Sequence, residues 1–474
     1  MHCTFLLAHF LLFIIFSSID AAPNQPDGQN MSPTIFLSEG ETISIPGPNL
    51  SKRHPNLMLF TCSYGAGHKM ATQGIMESLP DCHIQVVDIY QGPLRPLDPL
   101  RSISPQLSNE QLYNEMAKKE YNRLLNFMGI VAPKTLQWQR ETIENLLISY
   151  IAHQKPDMLI SCIPLVNPML LKAAQHLGIP LLVVTTDIDI TAFCNGFEDE
   201  SLICSKKNFR ITVPYSKEHW FEKFGKQHPK SIEHVFHYGF GYPTRRAFSE
   251  SITESDCKQL RLEYDVKSDE HLILVMMGGN TAHAAQIYAQ LLLGMTNKEI
   301  DRVTGDDLQR NKIHLICLCG DVKQKANHTL MTQLNGLNAV QPNNRVRIQG
   351  APGTTKIAQL VSLPELCTVI SKPGGSSVNE MIKKKIPMIY HVSDPPLDWE
   401  RGNMEYGEAR GLGKCFYTSG KIDAKSRQRL VEALAHTFAL HKKMSSNNIS
   451  VPEAKIDFTR NLRAALSEML LRCN

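Results

Sequence analysis

One segment of this sequence has the residue types of an anion-binding turn between a strand and a helix. Leu366–Ile370 is a short apolar run that predicts a buried strand, and Ser-Lys-Pro-Gly-Gly-Ser-Ser follows it. Gly374 and Gly375 permit close backbone approach, and either Ser376 or Ser377 can cap a helix that begins there. Free amide groups and the positive end of the helix dipole would then face a bound anion.

Glu380 lies three residues after Ser377, and the sequence allows two interpretations of it. It completes the pattern of a capping box, in which the carboxylate bonds back to the amide of the capping residue. Alternatively, its carboxylate accepts hydrogen bonds from the hydroxyl groups of a molecule bound over the turn. Both roles stay open at this point.

A second candidate for chemistry is His68, which lies near the start of the chain. Leu57–Cys62 predicts a strand, and Ser-Tyr-Gly-Ala-Gly-His leads from it into a helix. Gly65 and Gly67 suit a tight strand-to-helix connection, which places His68 in the first turn of the helix. Ligands of parallel sheets bind at the carboxyl ends of the strands, so His68 is a candidate acid or base.

Two parallel sheets are needed to position these residues. Strand patterns alternate with amphipathic stretches along the chain, which is typical of doubly wound α/β domains. We predict a first domain over residues 55–243 and a second over 244–419, with helices in 420–474. Residues 1–22 are a signal-like or anchor segment without Lys or Arg, and 23–54 are a linker rich in Pro, Gly, Asn and Ser.

The order of these segments resembles one group of GT-B glycosyltransferases. The group contains the monogalactosyldiacylglycerol synthases, the processive diacylglycerol glucosyltransferases and the bacterial N-acetylglucosaminyltransferase that acts on lipid I. It has a Lys-Pro-Gly-Gly turn, a Gly-Ala-Gly-His loop, and a Gln or Glu three residues before an Asn, as in Glu400 and Asn403. Further matches, in the same order, are Lys155–Ser161, Val183–Asp187, Tyr238–Phe248 and Leu272–Asn280.

The resemblance implies a fold and a reaction. The implied fold is α/β and GT-B, with two Rossmann-like, doubly wound parallel-sheet domains facing a cleft and a C-terminal helix crossing back to the first domain. The implied reaction is an inverting, metal-independent transfer of a hexose from a nucleotide sugar, expected to be UDP-linked, to a lipid or lipid-linked acceptor. No cofactor is expected besides this donor. The chain is expected to be membrane-associated, with the side of the membrane open.

The same resemblance assigns roles to individual residues. His68 or Asp187 would take the proton from the acceptor hydroxyl, and the sequence does not decide between them. Gly65 and Gly67 would lie on the acceptor side. Glu380 would contact the ribose, Glu400 and Asn403 the sugar, and the loop Gly350–Lys356 the nucleobase. The full set predicted to bind the donor is Gly278, Gly279, Asn280, Gly350, Gly374, Gly375, Ser376, Ser377, Glu380, Glu400 and Asn403.

Two stretches depart from the pattern of the group. Asp187 is followed by Ile188–Phe193, which lacks the His and Trp that many relatives have there. The loop after Met277 is Gly-Gly-Asn, where lipid galactosyltransferases have more glycine or an acidic residue. The identities of sugar and acceptor therefore stay open. So do two other functions, a UDP-N-acetylglucosamine 2-epimerase and a catalytically silent subunit that only binds the nucleotide sugar.

Asp98–Ile151, between the strand motifs, is helical in pattern and rich in apolar residues. In lipid-acting relatives the matching region forms the membrane-facing acceptor groove, and the resemblance implies the same role here. Apolar residues at helical spacing also fit ordinary core helices. The apolar residues concerned are Tyr113, Met116, Tyr121, Leu124, Leu125, Phe127, Met128 and Ile130.

Composition and motif spacing exclude other classes of protein. The chain has 474 residues, and its formal net charge of +4 is too small to indicate nucleic-acid binding. Its 12 cysteines are scattered without zinc spacing, so we expect buried thiols. Gly350–Lys356 lacks the Gly-Lys-Ser/Thr of a Walker loop, and Gly-x-Ser-x-Gly is absent. Asp187-Ile188-Asp189 matches a metal-binding motif of a different glycosyltransferase fold, and the GT-B order argues against a metal there.

Overall fold

The computed structural model describes residues 54–65, 67–104, 106–197, 208–218, 230–277, 283–305, 310–340, 344–418, 420–446 and 448–471. The predicted signal-like segment, and the predicted linker up to residue 53, lie outside these ranges. Within them the chain forms two six-stranded sheets, and all their strand pairings are parallel.

The first sheet has the strand order β2-β1-β3-β4-β5-β6. Its strands are β1 (Asn56–Thr61), β2 (His83–Asp88), β3 (Met158–Ser161), β4 (Leu181–Val183), β5 (Phe209–Thr212) and β6 (Phe236–His237). The helices among them are α1 (Gly67–Ser78), α2 (Pro99–Ile103), α3 (Asn109–Lys118), α4 (Asn122–Trp138), α5 (Arg140–Gln154), α6 (Asn167–Leu177) and α7 (Thr191–Cys194). The central strands β1, β3 and β4 are buried at nearly every position because helices cover both faces.

The second sheet has the strand order β12-β11-β10-β7-β8-β9. Its strands are β7 (Glu270–Val275), β8 (Lys312–Leu318), β9 (Val346–Ala351), β10 (Leu366–Ser371), β11 (Met388–Ser393) and β12 (Gly413–Thr418). The helices here are α8 (Glu254–Glu263), α9 (His283–Leu293), α10 (Asn297–Thr304), α11 (Lys325–Gly336), α12 (Ile357–Leu360), α13 (Gly375–Lys384) and α14 (Asp398–Ala409), followed by α15 (Ala424–Ser445) and α16 (Phe458–Leu470). Short 3₁₀ turns are Arg95–Leu97, Lys230–Val235, Arg246–Phe248, Leu337–Val340 and Pro452–Lys455.

A continuous apolar core joins the two sheets. Alternate residues of β1 point to opposite faces: Met58 and Phe60 belong to this shared core, whereas Leu57 and Leu59 face a separate cluster. The shared core also contains Val369 of β10, so it extends from one sheet to the other. The domains therefore pack against each other through apolar contacts as well as polar ones.

Helix α16 lies on the first sheet, although it follows the whole second domain in sequence. Phe458, Leu462 and Leu466 are buried in the same cluster as Leu57 of β1 and Ile75 of α1. This packing confirms the predicted crossing helix. The two sheets also confirm the predicted α/β fold with two doubly wound domains.

Helices α3 and α4 of the first domain pack against the second domain. Met116, Leu124 and Leu125 share a buried cluster with Leu397, which lies just before α14. Asn126 reinforces this contact, because its Nδ2 donates to the carbonyl of Pro396 over 2.9 Å. Part of the region that the sequence assigns to a membrane-facing groove is thus ordinary core between domains.

Further expectations from the sequence concern the domain boundaries, the cysteines and the membrane. All strands of the first sheet precede residue 243 and all strands of the second follow it, while the domain boundaries themselves stay predictions. Nine cysteines fall in the described residues, and all of them are free and seven are buried. No helix within the described ranges is both long enough and apolar enough to cross a bilayer.

Candidate active site

His68 and Asp187 come together at the carboxyl edge of the first sheet. His68 lies in the first turn of α1, directly after β1, and Asp187 follows β4. Parallel strands end at the same edge, so the two residues face each other across the end of β3. They are close enough that the charge of each shifts the pKa of the other.

The imidazole of His68 is oriented by a backbone carbonyl. Its Nδ1 lies 2.9 Å from the carbonyl oxygen of Cys162 and 3.4 Å from Oγ1 of Thr186. Because a carbonyl oxygen only accepts hydrogen bonds, Nδ1 carries the proton and Nε2 of the neutral ring has the free lone pair. Burial lowers the pKa of His68, and the charge of Asp187 opposes this effect. The neutral ring can therefore accept a proton at Nε2.

The carboxylate of Asp187 is strongly perturbed. Burial raises the pKa of Asp187 to about 7, while a hydrogen bond from Asn403 and the charge of His68 oppose the rise. Asn403 donates this bond from Nδ2 to Oδ1 over 3.0 Å. Asp187 thus titrates near neutral pH, as a catalytic acid or base requires.

The side-chain amide of Asn403 connects the two domains. Besides its bond to Asp187, Nδ2 donates to the carbonyl of Pro373 over 2.9 Å, and Oδ1 accepts from the amide of Ile188 over 2.8 Å. Asn403 is completely buried. Both amide hydrogens are used in these bonds, so in this structure Asn403 positions Asp187. Its contact with a donor sugar stays a prediction.

The glycine-rich turn has the predicted strand, turn and helix, but its cap differs from the prediction. Helix α13 begins at Gly375, with Gly374 as the residue before it, and no side chain caps it. The prediction that Ser376 or Ser377 caps the helix is wrong, because both lie within its first turn. The first amides of a helix have no partner inside it, so those of α13 remain suited to an anion.

Glu380 forms an ion pair instead of a capping box. Its Oε1 accepts from Nε of Arg245 over 2.7 Å, and its Oε2 accepts from Nη2 over 2.9 Å. The capping-box interpretation is wrong, because Ser377 is not the capping residue. Burial raises the pKa of Glu380, and Arg245 opposes this rise. The pair ties α13 to the segment that joins the domains, and a contact with a ribose stays a prediction.

Gly375 packs directly against the first domain. A Cβ atom at this position would lie 1.9 Å from the carbonyl oxygen of Thr186 and 2.9 Å from Oδ1 of Asp187, so only glycine fits. Tyr242 strengthens the junction, because its hydroxyl donates to the same Thr186 carbonyl over 2.8 Å and lies 3.1 Å from Oγ of Ser376. The start of α13 therefore lies directly opposite Asp187.

The glycine loop before His68 also contacts the glycine-rich turn Pro373–Gly375, which is predicted to bind the donor and is named the donor turn. Oγ of Ser376 donates to the carbonyl of Gly67 over 3.0 Å. Gly65 has a φ of +78° and donates from its amide to Oδ1 of Asn114 over 3.1 Å. The structure thus brings Gly65, Gly67 and His68 together on one side of the cleft, as the sequence predicts, while their acceptor-side role stays a prediction.

Gly350 lies inside β9 and not in the loop that follows it. Its amide donates to Oδ1 of Asn335 over 2.8 Å, and its carbonyl accepts from Nδ2 over 3.2 Å. A Cβ atom there would lie 2.8 Å from the carbonyl oxygen of Met331 in α11, so helix packing explains the glycine. The prediction that the loop begins at Gly350 is wrong. Three other predicted donor residues, Gly278, Gly279 and Asn280, lie outside the described residues.

A small polar cavity lies beside the donor turn. Its lining includes Lys372, His391 and Glu400, together with the apolar Pro396 and Leu397. Glu400 is in the first turn of α14, and its Oε1 lies 3.9 Å from the position of a Cβ atom on Gly374. Burial raises the pKa of Glu400, and the charge of Lys372 opposes the rise.

Three charged or polar residues in or beside this cavity were not identified from the sequence. Oε1 of Glu120 lies 3.5 Å from Nζ of Lys372 and 3.4 Å from Nε2 of His391. Lys372 immediately precedes the Pro-Gly-Gly turn, so a search for cations beside the turn would have found it. Glu120 and His391 belong to no recognisable motif, and only the folded chain brings them together.

The Asp-x-Asp sequence has a local structural role at its second residue. Oδ1 of Asp189 accepts from the amide of Thr191 over 3.0 Å at the start of α7. Across the residues that the structure describes, no group of three or more His, Cys, Asp and Glu side chains could hold a metal ion. Metal independence itself stays a prediction.

Comparisons with known proteins give two kinds of similarity. No protein-family model matches the chain. The processive diacylglycerol β-glucosyltransferase of Staphylococcus carnosus (strain TM300) is 21% identical over 377 residues, covering 77% of this chain and 82% of that protein. The protein of the same name from Staphylococcus aureus (strain JH9) is 22% identical over 380 residues, with coverages of 76% and 81%. The structure of Arabidopsis thaliana UGT89C1 complexed with quercetin matches with a TM-score of 0.52 at 12% identity, covering 88% of this chain and 100% of that one.

The fold and these similarities together define the class of protein. The two parallel-sheet domains have the GT-B fold, and the chain is similar in sequence to known glycosyltransferases. More particularly, its sequence is similar to the processive diacylglycerol β-glucosyltransferases, which confirms the resemblance predicted from the motifs.

Proposed function

We propose that this chain is an inverting enzyme that moves a hexose from a UDP-linked donor to a membrane lipid. The observation that carries the proposal is the contact between Asp187 and the start of α13, where Oδ1 lies 2.9 Å from the Cβ position of Gly375. The two candidates for the general base, His68 and Asp187, thus face a helix terminus suited to a diphosphate. This is the arrangement that sugar transfer from a nucleotide requires.

On the donor side, α13 would stabilise the leaving group. Cleavage of the bond between the anomeric carbon and UDP leaves negative charge on the diphosphate. The amides of Gly375, Ser376 and Ser377 and the helix dipole are fixed in place before the reaction, so they meet this charge without reorganisation. Lys372, just before the turn, adds a positive charge nearby.

On the acceptor side, His68 would act as the general base. Its Nε2 accepts the proton of the attacking hydroxyl, and the negative charge of Asp187 stabilises the imidazolium that forms. Attack from the face opposite to UDP inverts the anomeric carbon, so an α-linked donor gives a β-linked product. The β-linkage in the names of the similar staphylococcal proteins supports this stereochemistry.

The exposed face of α4 supports a lipid acceptor. Phe127, Ile130 and Trp138 lie on one side of this helix and are 42%, 59% and 66% exposed. The exposed cations Arg123 and Lys134 lie on the same side, at helical spacing. Aromatic and apolar residues flanked by cations are typical of helices that rest on anionic membranes. Since α4 also packs beside the donor domain, it would bring the active site to the bilayer surface.

A transfer assay tests the proposed function. We would incubate UDP-glucose, labelled in the sugar, with dioleoylglycerol in anionic vesicles and determine the anomer of the product. We expect β-glucosyldiacylglycerol, with turnover about 100- to 10,000-fold lower for His68→Ala because a general base is lost. UDP affinity should be unchanged in this variant, and His153→Ala, at an exposed position of α5, should keep full turnover.

Other outcomes would contradict the proposal. Conversion of UDP-N-acetylglucosamine to its 2-epimer without sugar transfer would indicate the epimerase alternative. UDP binding without turnover of UDP-glucose, UDP-galactose or UDP-N-acetylglucosamine would indicate the silent subunit. An α-linked glycolipid would exclude the single inverting displacement.

A further inference from the structure

A charged side chain of the first domain contacts two of the residues that line the cavity beside the donor turn. Glu120 lies between α3 and α4, and its Oε1 contacts Nζ of Lys372 and Nε2 of His391 at 3.5 and 3.4 Å. Lys372 ends the segment before the Pro-Gly-Gly turn, and His391 lies in β11, so both partners belong to the second domain. The ionic contact therefore crosses the domain boundary beside the cavity.

The partners of Glu120 keep it ionised. Burial opposes ionisation, but a hydrogen bond from His391 and the charge of Lys372 outweigh it and lower the pKa of Glu120 to about 2. His391 is itself fixed, because its Nδ1 lies 2.8 Å from the hydroxyl of Tyr288. Lys372 and His391 contact Oε1, and a hydrogen bond from Ser393 also lowers the pKa of Glu120. A carboxylate has further lone pairs, so Glu120 can accept another hydrogen bond.

The backbone at Glu120 supports a specific placement of this carboxylate. Glu120 has a φ of +55°, a conformation that residues with a Cβ atom adopt rarely. Asn122, two residues later, donates from Nδ2 to the carbonyl of Pro395 over 2.8 Å and also lines the cavity. The turn between α3 and α4 is thus held against the second domain on both sides of the glutamate.

The position of the cavity in the sheet indicates which part of a nucleotide sugar it would receive. The donor turn follows β10, in the middle of the order β12-β11-β10-β7-β8-β9. The loop predicted to cover the nucleobase follows β9 at one edge, whereas the cavity lies on the opposite side, at β11. With the diphosphate at α13 between them, the hexose of a bound donor would extend toward β11, where Lys372, His391 and Glu400 lie.

We propose that Glu120 is a donor-sugar ligand supplied by the first domain, and that its carboxylate accepts a hydrogen bond from a hydroxyl group of the hexose. This inference rests on the proposed function. The side chains in and beside the cavity have the chemistry to bind a sugar, since Glu120 and Glu400 can accept from hydroxyl groups, Lys372 can donate, and Pro396 and Leu397 are apolar. The glycosyl group would then be bound only where both domains are in contact.

Calorimetry with UDP and with UDP-glucose separates this role from others. The variant is Glu120→Gln, and the matched control is Glu115→Gln, whose carboxylate is exposed on α3 and pairs only with Lys118 in the contacts described. We expect the affinity of Glu120→Gln for UDP to stay within about twofold of the wild type, because UDP has no hexose. Its affinity for UDP-glucose should fall about tenfold, through loss of a charge-assisted hydrogen bond.

Three results would overturn the inference, and one of them would also overturn the proposed function. Equal weakening of UDP and UDP-glucose would show that Glu120 only holds the domains together. Unchanged affinity for both would show that Glu120 does not contact the sugar. Failure of the wild type to bind UDP at all would overturn the proposed function and this inference with it.

Deoxy analogues of UDP-glucose identify the hydroxyl group concerned. The affinities of the 2-, 3-, 4- and 6-deoxy donors would be measured for the wild type and for Glu120→Gln. We expect one analogue to bind the two proteins equally, because the interaction is already missing from the donor. An equal penalty of the substitution for all of these analogues would overturn the hydrogen bond to a hexose hydroxyl.

Discussion

The carboxylate of Asp187 is held in the folded protein at an energetic cost. Its pKa is about 7, above the value of an ordinary aspartate, because burial disfavours the ionised form. The folded state therefore binds a proton more tightly than the unfolded chain does. Deprotonation of Asp187 therefore lowers the free energy of unfolding as the pH rises from about 4 to about 7. A buried carboxylate that destabilises the folded protein when it is ionised is expected to have a function.

Replacing Asp187 by Asn should separate stability from activity. We expect Asp187→Asn to melt a few degrees higher than the wild type at pH 8, where the wild-type carboxylate is ionised, and about equally at pH 4. Turnover should fall about 100- to 10,000-fold. Thermal unfolding at both pH values measures the first effect, with the exposed Asp301→Asn as control. A lower melting temperature at pH 8 would show that the ionised carboxylate stabilises the fold.

Asn403 should set the pH at which the enzyme becomes active. If Asp187 must be ionised, kcat/KM falls as the pH drops below about 7. Asn403→Ala removes the hydrogen bond to Asp187 that lowers its pKa, so this acid limb should move to higher pH. The measurement is the pH profile of kcat/KM beside the affinity for UDP-glucose. If the acid limb of the pH profile does not move and the variant binds UDP-glucose more weakly, Asn403 is instead a ligand of the sugar.

At the scale of elements, the start of α13 and the segment after β4 behave as one unit. Gly375→Ala should lower the melting temperature and abolish most turnover, because its Cβ atom meets the backbone carbonyl of Thr186 at 1.9 Å. Overpacking of this kind costs about 1–3 kcal/mol. Gly374→Ala is the matched control for stability, since its nearest atom is Oε1 of Glu400 at 3.9 Å. Equal melting temperatures of the two variants would refute the close contact.

The sequence predicted elements better than it predicted the contacts between them. The strand at Leu366–Ile370 and the glycine turn after it were predictable, because apolar runs and glycines act locally. The partner of Glu380 was not, because Arg245 is 135 residues away and no local pattern links the two. The cap was also misassigned, because the local sequence does not show that the helix begins at Gly375, where the chain packs against Thr186.

At the scale of the whole molecule, α4 presents exposed apolar side chains beside the proposed active site. Replacing Phe127 and Trp138 of α4 by Ser should weaken binding to anionic vesicles several-fold, since both side chains are exposed and apolar. Transfer to a soluble, short-chain diacylglycerol should be unaffected. Vesicle sedimentation measures binding, and Leu262→Ser, at an 84% exposed leucine of α8, is the control. Unchanged sedimentation of the double variant would exclude α4 as the membrane-binding surface.

The path of α16 has a consequence for how this protein is made. During translation the first sheet leaves the ribosome long before residues 458–470, yet those residues cover one of its apolar faces. Until synthesis of the second domain is complete, Leu57, Leu59 and Ile75 lack this cover, and the nascent chain exposes a surface that chaperones and other nascent chains bind. A chain interrupted before Phe458 should accordingly aggregate, even though it contains every strand of the second sheet.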